Sequence, residues 1–288
     1  MAMPDTVTIV EVGPRDGLQN EPQTVPTAVK IALIERLAGA GLKVIEAASF
    51  VSPKAVPQLA DGAEVMAGLT INGGVRYPVL VPNMKGFDAA MAAGVKEIAV
   101  FGSPSESFTQ ANINCSVAMS LERFQPVCEA ALARGVRVRG YISCTLGCPF
   151  EGDMEPQRVA RFAAVFRHMG CFEISLGDTI GVGTPATARA MFEAVAAEVP
   201  IDQLAAHFHD THGRALDNLR AVLDLGVSVI DASVAGLGGC PYAPGAAGNV
   251  ATEDVVGLLD ELGIESGVDL DRLCDAGRFI NDALGRDT

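Results

Sequence analysis

Short runs dense in Val, Ile, Leu and Ala recur along the chain, separated by longer stretches with apolar residues three and four apart. The runs are 7–12, 43–49, 75–81, 97–102, 136–143, 171–176, 203–209 and 228–233. Compact β-branched and aliphatic runs bounded by glycine or polar turns predict strands buried on both faces. Stretches such as "PTAVKIALIERLAGAG", "VAMSLERFQPVCEAALARG" and "EPQRVARFAAVFRHMG" carry the helical period instead. Several stop at glycine, as in "AGAG" before the second run and "MAAGV" before the fourth. Glycine takes positive φ without strain and so ends a helix.

Eight strand–helix alternations at roughly 30-residue spacing predict an α/β fold of the closed (β/α)8 type, the TIM barrel. A doubly wound sheet is disfavoured, because "EVGPRDG" follows the first strand where that fold places G-x-G-x-x-G. Beyond "TEDVVGLLDELG", the stretch 269–284 predicts one extra C-terminal helix. No linker or low-complexity tract interrupts the pattern, so 1–288 reads as a single barrel domain.

Composition changes this picture in three places. Apolar residues make up 49 % of the chain, with no Trp and three Tyr, so the core must be aliphatic. The net charge of −14 argues against a nucleic-acid or membrane partner, both of which need a basic face. An anionic small molecule needs only a few local cations and stays compatible. Seven scattered cysteines are unlike a disulfide framework and read as small buried residues in a reducing compartment. Cys144 and Cys148 have no second pair to complete a zinc site. The opening "MAMPDTVTIVEVG" is unlike a signal peptide, and no run approaches the ~18 apolar residues of a membrane span. The expectation is a soluble cytoplasmic protein.

Catalytic groups of such barrels sit at the C-terminal strand ends. The unusual polar residues fall there: Arg15 and Asp16 after strand one, Glu46 on strand two, Asp178 ending strand six, Cys240 and Asn249 after strand eight. Three of the four histidines, His207, His209 and His212, lie in "AAHFHDTHGRAL" at the end of strand seven. Residues i and i+2 of a strand share a face, so His207 and His209 are expected at the barrel mouth, with Phe208 toward the helices. Together with Asp16 and a side-chain oxygen they predict a mixed N/O site for Mg²⁺, Mn²⁺ or another divalent first-row ion. Each residue also has a plainer role. The histidines could be core residues, Arg15 and Asp16 a simple pair, Glu46 and Asp178 loop ties, and Cys240 silent. His212 reads as a cap of the following helix or a supporting group, and His168 as a surface charge late in its helix. Convergence on one face is what favours a site.

The segments "VGPRDGLQNE", "SFVSPK", "VPNMKGFDAAMAAGVKEIAVFGSPSESF", "GYISCTLGCPFEGD", "EISLGDTIGVGTP", "HFHDTHGRALDN" and "VAGLGGCPYAPGAAGNVATEDVV" closely resemble the hydroxymethylglutaryl-CoA lyase family, nearly end to end. The Cys-Pro-Tyr insertion is the most specific element. The resemblance implies cleavage of 3-hydroxy-3-methylglutaryl-CoA to acetyl-CoA and acetoacetate, as in leucine breakdown or ketone-body formation. It implies a divalent metal on Asp16, His207, His209 and Asn249, with His207 also counted among the catalytic groups. Arg15 would stabilise the enolate oxygen, Glu46 and Asp178 would support the metal or the hydroxyl proton transfer, and Cys240 would protonate the product carbanion. Asn83 and Lys85 would contact CoA, and the chain would assemble as a homodimer or higher homo-oligomer.

The chain departs from the family at Ala48, where Thr is usual, at Ala55 (usually Trp), and at His212 (usually Tyr). Gln110 and Ala111 stand where a Lys pair is common. These changes suggest a longer acyl branch or a looser hold on the CoA phosphates. A Claisen-condensing synthase is the other enzyme class to weigh; the Cys240 loop and the absence of a further C-terminal domain argue against it. Intact Arg15, Asp16, His207, His209, Cys240 and Asn249 argue against a silent relative.

Overall fold

The computed structural model describes residues 3–71, 74–239 and 248–286. Strand β1 is Thr8–Glu11, and β2 comes in two halves, Val44–Ile45 and Ala48–Ser49. The first half pairs with β1 and the second with β3, Val79–Leu80, both parallel. Across the break, the Glu46 N–H donates to the Glu11 carbonyl at 2.8 Å and the Ala47 N–H to that of Pro78 at 3.0 Å. Then follow β4 (Glu97–Gly102), β5 (Arg137–Ile142), β6 (Glu173–Asp178), β7 (Leu204–Phe208) and β8 (Val229–Ala232). Strand β8 returns to β1 over Thr8–Glu11, so the nine paired segments form a ring of eight positions. The predicted barrel is observed.

The third strand is much shorter than its apolar run of 75–81. Pro78 and Pro82 flank it and have no N–H to donate, which trims the ladder to two residues.

Ten α-helices wrap the ring among the described residues: α1 (Thr27–Gly39), α2 (Gly62–Gly68), α3 (Met84–Ala92), α4 (Glu106–Ile113), α5 (Val117–Ala133), α6 (Pro156–His168), α7 (Pro185–Ala196), α8 (Ala215–Leu223), α9 (Thr252–Leu262) and α10 (Leu270–Leu284). Helix α6 shows the logic. Pro156 opens its first turn, and Val159, Ala160, Phe162, Ala163 and Phe166 fall on one buried face. That face lies against Gly140 of β5, where a Cβ would come 2.5 Å from the Phe166 ring. His168, exposed in the last turn, suits the negative end of the helix dipole. Helix α4 was not apparent from the pattern; Ser105 caps it by accepting from the Phe108 N–H at 3.1 Å. Helix α10 fulfils the expectation over 269–284, capped by Asp269 and packed on α1.

Alternation along β7 sets the site. Ala205 and His207 face the barrel interior, while Phe208 points outward and meets the Phe192 ring of α7 edge-on at 6.2 Å. No helix among the described residues is long and apolar enough to cross a membrane.

Candidate active site

After β1 the chain winds through a tight turn, Gly13–Gly17, in which the Asp16 and Gly17 N–H groups both donate to the Val12 carbonyl, at 2.7 and 3.2 Å. A π-type turn of this kind often marks a functional position. Gly17 is required by contact: a Cβ there would lie 2.7 Å from that of Leu237. The turn presents Arg15 and Asp16 at the C-terminal mouth. Arg15 is buried, donating through Nε to Glu46 Oε2 at 2.8 Å and through Nη1 to Asp16 Oδ1 at 2.6 Å. Glu46 occupies the break in β2, fully buried, and also accepts from the Tyr141 hydroxyl at 3.1 Å. Burial raises the Glu46 carboxyl more than Arg15 lowers it. Burial would raise Asp16 too, but Arg15, His207 and the Asn249 amide outweigh it and hold the group at about 2.

Glu11 supports this turn from behind. Its Oε1 accepts from the Gly13 and Val234 N–H groups at 2.8 and 2.9 Å, and its Oε2 from the Thr252 hydroxyl at 2.6 Å. Burial pushes it up to about 7 despite these donors. The folded state therefore holds a proton that an unfolded carboxyl, at 4.5, releases. Folding takes up that proton between the two values, so this group's contribution to stability falls as pH rises through the window. Glu11→Gln keeps an acceptor for the two amides and lacks the titration. In urea unfolding between pH 5 and 8, the variant is expected to lose stability with rising pH less steeply than the wild type. Parallel slopes would refute this.

The β7 histidines converge on the same spot. Asp16, His207 and His209 each offer a ligand atom, and these atoms all lie within 4.8 Å of one another. Burial and then His207 push the His209 imidazole down to about 4, keeping it neutral as ligation requires. The His209 Nδ1 is buried with no hydrogen-bond partner among the described residues. Asn249 joins through its Nδ2, which donates to Asp16 Oδ2 at 2.8 Å. The main chain fixes this approach: His209 bridges Asn249 antiparallel, and the Asp210 and Val250 N–H groups donate to the Gly248 and Phe208 carbonyls. Two imidazoles, a carboxylate and an adjacent amide suit a divalent cation with room for substrate oxygens.

Four residues were not singled out from the sequence. Asp231 of β8 accepts from Arg139, from Ser175 and from His207, and Tyr141 turns its ring edge to His207 at 6.1 Å. Their signal was available: charged residues inside otherwise apolar strands, as in "VRVRGYIS" and "SVIDAS", have to find partners within the barrel.

A cavity of about 540 Å³ opens at the cluster, lined by Arg15, Asp16, His207 and His209 and also by Ala55 and Asn83. Asn83 lines it while capping α3, whereas Lys85 is exposed on that helix and is not among the lining residues. Asp178 is buried and turned into its own loop, accepting from Val182 and Gly183 N–H. Burial raises it more than those amides lower it. The first N–H of α8, that of Ala215, donates to Asp210 Oδ1 at 2.8 Å, while His212 is exposed. Ala48 packs toward Gly62 of α2, and of the three alanine departures, Ala48, Ala55 and Ala111, only Ala55 is among the residues lining the cavity. Cys240 lies outside the described residues.

A closed parallel barrel with a buried arginine and a carboxylate–imidazole cluster at its C-terminal mouth defines a TIM-barrel enzyme with a metal-type site. The chain belongs to the HMGL-like family, whose model matches residues 6–280. It is 60 % identical to the mitochondrial hydroxymethylglutaryl-CoA lyase of Gallus gallus, covering 100 % of this chain and 96 % of that protein. It is 59 % identical to the 3-hydroxy-3-isohexenylglutaryl-CoA/hydroxy-methylglutaryl-CoA lyase of Pseudomonas aeruginosa, covering 99 % and 95 %. Among solved structures, the hydroxymethylglutaryl-CoA lyase of Pseudomonas aeruginosa superimposes with a TM-score of 0.98, at 59 % identity, over 100 % of this chain and 96 % of that one. A lyase from Acinetobacter baumannii in complex with coenzyme A and 3-methylmalate gives 0.94 at 40 % identity, over 100 % and 94 %.

Proposed function

We propose that this chain is a carbon–carbon lyase that cleaves 3-hydroxy-3-methylglutaryl-CoA into acetoacetate and acetyl-CoA. The observation that carries the proposal is the meeting of Arg15, Asp16, His207 and His209 at the mouth of one cavity. In the reaction the 3-hydroxyl passes its proton to a basic side chain at the barrel mouth and becomes the new ketone, while the electron pair of the breaking bond passes onto the thioester as an enolate. Asp16, His207, His209 and Asn249 would hold a divalent ion, Mg²⁺ or Mn²⁺, which when bound would supply Lewis acidity to the substrate.

Arg15 holds the enolate oxygen. Its permanent charge is aimed from a dry site where Glu46 and Asp16 fix the guanidinium, so little reorganisation accompanies the reaction. Glu46 acts by orienting Arg15. Asp178 shapes the loop after β6. The enolate carbon then takes a proton, for which Cys240 is our assigned donor, a thiol being able to act as a general acid. Asn83 borders the path for CoA, with Lys85 beyond it. A cytoplasmic setting and assembly with further copies of the chain belong to the same proposal.

The test is acetyl-CoA release from hydroxymethylglutaryl-CoA by metal-stripped protein, before and after Mg²⁺ or Mn²⁺ is returned. Metal-dependent release is expected. Silence with every divalent ion would refute it, and consumption of acetyl-CoA would mark the condensing direction. A longer acyl branch is the second reading, favoured by Ala55 on the cavity wall. Strong preference for the methyl thioester over longer-branched ones would dispose of it.

A further inference from the structure

We infer that Asp231 is the positioning residue of the metal site: it sets the tautomer of His207 and so makes Nε2 the atom offered to the ion. The inference rests on the metal reading above.

Strands β7 and β8 are paired so that His207 and Asp231 are direct register partners. Across that pair, His207 Nδ1 lies 3.1 Å from Asp231 Oδ2. Asp231 is itself immobilised. The fully buried Arg139 grips it with two nitrogens, Nη2 to Oδ1 at 2.7 Å and Nη1 to Oδ2 at 3.1 Å. The Ser175 hydroxyl donates to the same Oδ2 at 2.7 Å. Glu173, the register partner of Arg139, takes the guanidinium Nε at 2.6 Å and anchors the far end. A carboxylate that receives a bidentate arginine stays ionised and has no proton to give. The bond to His207 therefore runs one way, from Nδ1–H to Oδ2, leaving the lone pair on Nε2.

This arrangement fixes the orientation and the tautomer of a ligating ring. Partners of this type typically alter metal affinity by about 10- to 100-fold. His209 is different: its Nδ1 is buried without a partner among the described residues, so no carboxylate sets its tautomer. One ligand is locked through Asp231 and the other is held by main chain.

The experiment is Mn²⁺ titration by calorimetry on metal-stripped wild type, Asp231→Asn, His207→Ala and the double variant. Asp231→Asn is expected to weaken Mn²⁺ by roughly 10- to 100-fold. On the His207→Ala background the same change is expected to move the Kd by less than about threefold, since the positioned ring is gone. An unchanged Kd for Asp231→Asn, or equal losses on both backgrounds, would overturn the inference. A purely structural role would lower the melting temperature without the coupling. Failure of wild type to bind Mn²⁺ would instead overturn the metal reading, and the inference with it. If Asp231→Asn does not fold, ¹⁵N-histidine spectra of the wild type decide the matter. His207 is expected to keep its proton on Nδ1, with Mg²⁺ shifting Nε2; a proton on Nε2 would overturn the inference.

Discussion

Arg15→Lys is expected to lower turnover by roughly 10²- to 10³-fold, the scale found when one donor to a developing oxyanion is lost. The guanidinium is held at three points: Nε and Nη2 on Glu46 and Nη1 on Asp16. Its Cζ lies 5.4 Å from the Tyr141 ring centre. An ammonium keeps the charge but cannot span Glu46 and Asp16 and still face the cavity. The Oε1 of Glu46 already has no partner among the described residues, so shortening the cation leaves that carboxylate less satisfied still. Acetyl-CoA release should therefore fall in kcat more than in KM, because the lost contact belongs to the transition state. Turnover within threefold of wild type would mean that charge alone suffices and would end the enolate assignment.

His209→Ala is expected to abolish the metal response, with a loss on the order of 10³-fold that added Mn²⁺ does not restore. Several kcal/mol of charge stabilisation depend on a correctly held ion, and each 1.36 kcal/mol is about tenfold in rate. His209 is the better probe than His207 because its side chain makes no bond to Asp231. Its fold role is carried by the main chain, through the bridge to Asn249. The variant should thus melt close to the wild type while losing both Mn²⁺ binding and activity. Retained Mn²⁺-dependent activity would remove His209 from the ligand set.

Much of this was legible in the sequence because barrel strands announce themselves as apolar runs, and polar residues at their ends stand out. Arg15, Asp16, His207, His209 and Asn249 all sit at such ends, and the structure gathers them at one mouth. The i, i+2 spacing of the histidines translated directly into a shared face. Less legible was everything that depends on which strand neighbours which. Asp231 and Arg139 are 92 residues apart and meet only because the ring closes. The bonds of Glu46 to Arg15 and Tyr141 were likewise not visible in the sequence. The brevity of β3 could have been read from Pro78 and Pro82. Helix α4 had too short and too polar a pattern to distinguish from a loop, and the sequence did not show that Asp210 rather than His212 would meet the first N–H of α8.

The backbone zipper between His209–Asp210 and Gly248–Val250 has a thermodynamic consequence. His209 and Asn249, from distant parts of the chain, are joined through main-chain hydrogen bonds, so binding of an ion there would order few additional torsions. The energy of binding then depends chiefly on dehydrating the cation and on how well its radius matches a gap set by peptide geometry. A cation such as Ca²⁺, which favours more and longer oxygen contacts, would meet donors whose main chain is tied together. Discrimination by size would in this way rest on main-chain hydrogen bonds.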